Sequence, residues 1–246
     1  MPAIVIIGAQ WGDEGKGKIV DHLAERAHMV IRYQGGNNAG HTVVIGNTVL
    51  RLHQIPSGIT RPSVAAVLGN GMVINPPALV EELDVLESEG LSTANLHISP
   101  GAHVVMPYHI TLDALEEEMR GEHALGTTRR GIGPAYTDKV ARRGIRVEDL
   151  VVPERFAERT RLALDRVNRE LVHVFGRPPM SVEEIVDTDT IRRNPELTLA
   201  PGFRVSAVVH EPWGAHPGHL FGYHDDDRWF RYMYANFFCD DEKRFK

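Results

Sequence analysis

Gly8-Ala9-Gln10-Trp11-Gly12-Asp13-Glu14-Gly15-Lys16-Gly17-Lys18 stands between the apolar, β-branched run Ala3-Ile4-Val5-Ile6-Ile7 and the segment Ile19-Val20-Asp21-His22-Leu23-Ala24-Glu25-Arg26. The run before it reads as a buried parallel strand. The segment after it, with Ile19, Leu23 and Ala27 at helical spacing, reads as a helix. The stretch therefore joins a strand to a helix, and Gly12 to Lys18 has the G-x-x-x-x-G-K spacing of a phosphate loop. Glycines let backbone N–H groups approach an anion, the helix adds the positive end of its dipole, and Lys16 and Lys18 add charge. Ile19 stands where such loops carry Ser or Thr, so a Mg²⁺ ligand has to come from elsewhere. Asp13, a hard oxygen donor inside the loop, is the candidate. The same residues also suit a tight turn with solvated lysines.

Working outward, Met29 to Tyr33 reads as a strand, followed by a second glycine- and asparagine-rich loop, Gln34-Gly35-Gly36-Asn37-Asn38-Ala39-Gly40-His41-Thr42. That loop offers amides, a hydroxyl and a histidine able to donate a proton near neutral pH. Val43-Val44-Ile45 and Val49-Leu50 flank Gly46-Asn47 as a hairpin. Val64 to Leu68 is a further strand. Pro76-Pro77 opens a helix with Leu79, Leu83, Val85 and Leu86 on its apolar side, and Leu112, Leu115 and Met119 mark another. Strands alternating with helices predict an α/β fold, mostly parallel, with helices on the faces of the sheet. In such sheets ligands bind beyond the carboxyl ends of the strands, which places Asp13 and His41 at one edge. A third polar segment runs from Gly126-Thr127-Thr128-Arg129-Arg130 to Arg142-Arg143-Gly144, with hydroxyls and guanidinium forks suited to a second phosphate.

Bulk properties narrow the class. The net charge of −6 gives no global basic field for nucleic acid or an anionic membrane, so any phosphate is held locally. No apolar run approaches membrane-spanning length, and the opening residues are too short for a signal segment. A single cysteine, Cys239, fits a reducing compartment, and the expected location is the cytoplasm.

Gly8 to Lys18, Arg32-Tyr33-Gln34-Gly35-Gly36-Asn37-Asn38-Ala39-Gly40-His41-Thr42, Ile55-Pro56-Ser57-Gly58 and Arg130-Gly131-Ile132-Gly133-Pro134-Ala135-Tyr136, in this order, resemble the adenylosuccinate synthetase family. The likeness runs strongly from Ala3 to about Arg146 and more loosely to about Thr188. The resemblance implies a ligase of AMP biosynthesis that couples GTP hydrolysis to joining IMP and L-aspartate through 6-phosphoryl-IMP, with Mg²⁺ as cofactor. It implies Asp13 as general base, His41 as proton donor and Lys16 as the phosphate-neutralising lysine. Gly12, Asp13, Glu14, Gly15, Lys16, Gly17 and Lys18, with Gly40, His41 and Thr42, match GTP contacts. Asp13 and the Gly40 carbonyl match Mg²⁺ ligands. Asn38, Thr128 and Arg142 match IMP contacts, the arginine reaching in from the second subunit of a homodimer.

The later part of the chain departs from that pattern. After residue 150 no Lys-x-Asp guanine-recognition string and no arginine-rich aspartate-binding loop occurs, and the family pattern looks truncated. Of the 8 Phe, 3 Trp and 6 Tyr, eleven fall in residues 203–246. The stretch Arg204 to Asp227, which includes His210-Glu211-Pro212-Trp213-Gly214-Ala215-His216-Pro217-Gly218-His219 and His224, resembles a segment of the A subunit of family I CoA-transferases. The histidines there fit no standard zinc spacing. The expected organisation is a nucleotide-binding domain over 1–190 and a CoA-transferase-like or unrelated segment over 191–246. The alternatives to a working ligase are a GTP- and IMP-phosphate-binding module without turnover, a chimeric chain, or a CoA-transferase.

Overall fold

The computed structural model describes residues 3–8, 15–45 and 48–186. The expectations attached to Gly12, Asp13, Glu14 and the tail 191–246 lie outside the described residues. In chain order the elements are α1 (Lys16–Ala24), β1 (Met29–Gly35), β2 (His41–Ile45), β3 (Thr48–Leu52), β4 (Ala65–Ile74), α2 (Pro76–Ser88), β5 (Leu96–Ile98), β6 (His103–Val104), α3 (Pro107–Arg120), α4 (Ile132–Val140), α5 (Val147–Leu150), α6 (Pro153–His173) and α7 (Val182–Val186).

The ten-residue β4 organises the fold. Ala66 to Gly69 and Gly71 to Ile74 are buried, as expected of a central parallel strand covered on both faces. β1 runs parallel along one edge, and β5 and then β6 run parallel along the other. Alternation along β4 sends Leu68, Met72 and Ile74 into the main core with Leu79, Leu86, Tyr108, Leu112, Phe156 and Val167. Val73 faces the other way, against Val105 and Ala135, with Ile132 and Tyr136 of α4 packed over them. Helices thus cover both faces. The predicted hairpin is present as the separate two-stranded sheet β2–β3, and Val43, Leu50 and Leu52 join the main core. Among the described residues no helix is long and apolar enough to cross a membrane.

Local chemistry explains the element ends. Asn75 caps α2 by accepting from the Ala78 N–H at 3.3 Å, and Pro76 starts the helix without needing a donor. In α6 the buried positions Phe156, Thr160, Leu164, Val167 and Leu171 form one helical stripe. Val85 lies off the equivalent stripe of α2, about 240° round from Leu79, and is 48% exposed rather than packed.

Ala3 to Ile7 overturns its reading as a buried strand. It carries no strand pairing, and Ile4, Val5 and Ile7 are 69%, 63% and 71% exposed. Apolar β-branched composition encodes a preference for burial but names no partner. A five-residue run with no layer over it gains too little from pairing to offset the entropy of ordering its backbone.

The strand predicted over Val64 to Leu68 continues through Gly69-Asn70-Gly71 to Ile74. The glycines mark a bulge, where the β1–β4 register shifts between Arg32 and Gln34. A Cβ at Gly71 would lie 2.1 Å from the Tyr33 carbonyl oxygen, so only glycine admits this approach. Gly133 in α4 meets nothing within 4 Å. Gly71→Ala is therefore expected to lower the unfolding free energy by roughly 1–3 kcal/mol through overpacking. Gly133→Ala should raise it by about 0.5–1 kcal/mol. Urea denaturation of the two variants checks both signs.

Candidate functional site

The site is built around the first turn of α1. Gly15 caps the helix in the left-handed region (φ 79°), and its carbonyl accepts from Lys18 and Ile19 at 3.0 and 3.2 Å. No acidic residue lies in that turn, while exposed Lys16 and Lys18 do, so the positive end of the helix is reinforced. A Cβ at Gly17 would lie 3.1 Å from His41 Cβ. The glycine thus lets the phosphate-loop helix rest directly on the histidine of the second motif.

His41 and Thr42 are found not in a loop but in the first two positions of β2, where His41 pairs with Leu52. A β-ladder fixes a side chain's direction more tightly than a loop. The His41 Nε2 is buried and has no hydrogen-bond partner among the described residues. Burial, then the charge of Arg32 and the neighbouring His53, pushes its pKa down to about 4. At neutral pH it is an uncharged imidazole with an unused ring nitrogen, which neighbouring chemistry has to satisfy.

Residues 35–37 are held by three side chains. Arg32 donates to the His53 carbonyl through Nη1 and to the Gly36 carbonyl at 2.7 Å through Nη2. The Tyr136 hydroxyl accepts from the Gly35 N–H at 2.7 Å and donates to the Gly71 carbonyl at 2.8 Å. Arg130 Nη1 donates to the Asn37 carbonyl, joining the third motif to the second. Beneath, Gln54 and Asn75 exchange two bonds of 2.9 and 2.8 Å, and Glu82 accepts the Gln54 and Ile55 N–H groups. A cavity of about 320 Å³ opens beside this network, lined in part by Asn37, Arg51, His53, Glu81 and Arg130. Asn38, Ala39 and Gly40 are exposed at the rim.

Two carboxylates of α3 cradle the third motif. Glu117 accepts the N–H groups of Leu125, Gly126 and Thr127 at 3.1, 2.9 and 3.3 Å. Burial raises the Glu117 pKa, but those amides and Arg120 outweigh it and hold the group below its ordinary value. Asp113 accepts the Thr127 hydroxyl and the Gly131 N–H, both at 2.8 Å. Thr128 is left exposed. Arg142, also exposed, sits at the far end of α4, whose nine residues span about 14 Å. Among the described residues no hydrogen bond or ion pair joins its side chain to the other motifs.

The structure thus brings together Gly15, Lys16, Gly17 and Lys18 with His41, Thr42 and the Asn37–Gly40 loop, links that loop to the Thr128 segment, and leaves Arg142 apart. Arg32, Arg130 and Tyr136 were visible within the sequence motifs, but their task of holding the second loop was not. An arginine set within an apolar strand run just before a glycine-rich loop was the available sign. Among the described residues no group of three acidic, histidine or cysteine side chains stands ready for a metal. Gly40 is exposed, and its carbonyl is a hard oxygen of the kind Mg²⁺ takes alongside phosphate.

A sequence model of the family described as adenylosuccinate synthetase matches residues 5–196. The synthetase of Carboxydothermus hydrogenoformans is 57% identical over 185 residues, covering 75% of this chain and 43% of the relative. That of Dehalococcoides mccartyi is 53% identical over 211 residues, covering 86% and 49%. The fully ligated adenylosuccinate synthetase of Plasmodium falciparum superposes with a TM-score of 0.65 at 36% identity, covering 76% of this chain and 42% of that one. The chain spans less than half the length of the curated relatives it matches.

The histidines set the acid response of the fold. His41 and His103 have pKa values pushed down to about 4 and about 3, mainly by burial, and His97 and His109 are also lowered. Below about pH 6.5 the unfolded chain takes up protons that the folded chain refuses, so stability falls as pH falls. The urea midpoint is expected to be level above pH 7 and to drop between pH 6.5 and 4, with a shallower slope in His41→Asn.

Proposed function

The chain belongs to the adenylosuccinate synthetase family, and from that premise we propose that it carries the nucleotide-phosphate and IMP loops of a GTP-dependent ligase joining IMP to L-aspartate. The observation that carries this reading is the contact of Gly17 with His41, whose buried Nε2 lacks a partner. Two phosphate-type motifs meet at a nitrogen that needs one.

Asp13 takes the N1 proton of IMP, O6 attacks the γ-phosphorus of GTP, and GDP leaves. The aspartate amine then attacks C6 and expels the phosphate. Lys16 and the α1 amine end neutralise charge on the transferred group. His41, uncharged at neutral pH, serves as a hydrogen-bond donor to a phosphate oxygen and not as a fixed cation, its direction set by the β2 ladder. Gly12 to Lys18 and Gly40 to Thr42 cradle the GTP phosphates, while Asn38 and Thr128 hold IMP. Asp13 and the Gly40 carbonyl are the protein oxygens that would hold Mg²⁺, which would supply charge neutralisation to the GTP phosphates. Arg142, stranded at the far end of its helix, fits a residue serving a second copy in a homodimer. The protein works in the cytoplasm, consistent with its single cysteine.

The test is phosphate release from GTP that requires both IMP and L-aspartate. Asp13→Asn is expected to abolish it, since a base and a metal oxygen are lost together. His41→Asn should leave activity reduced by roughly 10²–10⁴-fold. Binding of GTP and IMP by titration calorimetry without release identifies a binding module instead. Equal, mild effects of both changes overturn the assigned roles.

A further inference from the structure

Among the described residues only two non-glycines have positive φ, Arg129 at 53° and Arg142 at 57°. Both are arginines, both are exposed, and they flank the two ends of α4. At Arg142 the surroundings form a Schellman motif: Arg142 N–H donates to the Lys139 carbonyl at 3.0 Å and Arg143 N–H to the Asp138 carbonyl at 3.0 Å. Glycine is the residue such a position favours, yet an arginine occupies it. A residue held in a disfavoured conformation points towards a task for its side chain.

The next residue in each pair is tied down. Arg130 donates to the Asn37 carbonyl, and Arg143 Nε donates to Asp138 at 2.7 Å. Arg129 and Arg142 have no ion-pair partner among the described residues. The backbone under Arg129 is as constrained as that under Arg142. Glu117 and Asp113 take four N–H groups and one hydroxyl of residues 125–131, and the Arg129 N–H donates to Thr127 Oγ1 at 3.4 Å. Gly131, close behind, packs against the backbone of α3, where a Cβ would lie 2.8 Å from Ile110 N. The loop offers outward two adjacent side chains, the Thr128 hydroxyl and the Arg129 guanidinium.

We infer that Arg129 is a phosphate-binding residue of this chain's own site, acting beside Thr128 on the phosphate of IMP. This rests on the IMP reading above. Arg129 adjoins Arg130, which holds the Asn37 carbonyl of the same chain, whereas Arg142 lies beyond the far end of α4, whose nine residues span about 14 Å. A guanidinium and a hydroxyl side by side suit a tetrahedral anion through charge-assisted bonds.

The test uses the 246-residue chain, with Arg129→Gly and Arg129→Lys, titrated with IMP, inosine and inorganic phosphate and melted thermally. Arg129→Gly is expected to melt at the same or a higher temperature, because glycine relieves the positive φ, yet to bind IMP about tenfold or more weakly. Inosine binding should be unchanged, and Arg129→Lys should recover part of the loss. A purely structural residue would instead lower the melting temperature. Wild-type affinity for IMP in Arg129→Gly overturns the inference and leaves the IMP reading standing. If the unaltered chain binds IMP no better than inosine, but binds phosphate in a way that Arg129→Gly weakens, the IMP reading falls and the anion contact stands. If it binds neither, both fall.

Discussion

Where β1 and β4 pass their bulge, the backbones come within a distance that leaves no room for a Cβ at Gly71, and the Tyr136 hydroxyl bridges the gap by serving Gly35 and Gly71 at once. That approach sets the exit of β1, and the exit of β1 sets the loop at 35–38. Arg32 and Arg130 then fasten the loop's carbonyls. The start of β2, and with it His41, follows from where the loop ends. A strand crossing, rather than any functional side chain, fixes the position of the chemistry.

Four buried acidic groups are committed inside the fold. Glu82 serves the Gln54 and Ile55 amides, Asp113 and Glu117 serve the 125–131 loop, and Asp138 receives His109, Arg143 and Arg166. Burial raises the Asp138 pKa, but those donors outweigh it and the group stays below its ordinary value. His109 accepts the Met106 N–H on Nδ1 and offers Nε2 to Asp138, the pattern of a neutral ring. A chain with a net charge of −6 can therefore gather lysines and arginines around an anion site, because the carboxylates nearby are spent on backbone amides and arginines.

Much of this was legible in the sequence, for definite reasons. The hairpin around residues 46–47 and the Pro76 helix start carry strong local signals, turn residues and a proline at the first helical turn. The three polar motifs were legible because their chemistry is compressed into short windows. Ala3 to Ile7 was misread because strand composition says nothing of a neighbouring edge. Gly69 and Gly71 looked like the end of a strand, whereas they mark a bulge inside one, a distinction that lies in the contact with Tyr33 across the sheet. His41 was placed in a loop because glycines surround it. Its ladder partner Leu52 is eleven residues away, beyond any local pattern.

Helix α4 is moored to the sheet in an unusual manner: Tyr136 donates to the carbonyl of Gly71 and Lys139 to that of Asn70, each at 2.8 Å. Both moorings grip main-chain oxygens, and every amino acid supplies one. Drift at position 70 can therefore exchange its side chain over generations without loosening the helix. Positions 136 and 139 have no such latitude, since only particular side chains reach across. The burden of keeping the helix in place is thus lopsided: the helix bears it, and the sheet residue beneath Lys139 is left comparatively free to vary.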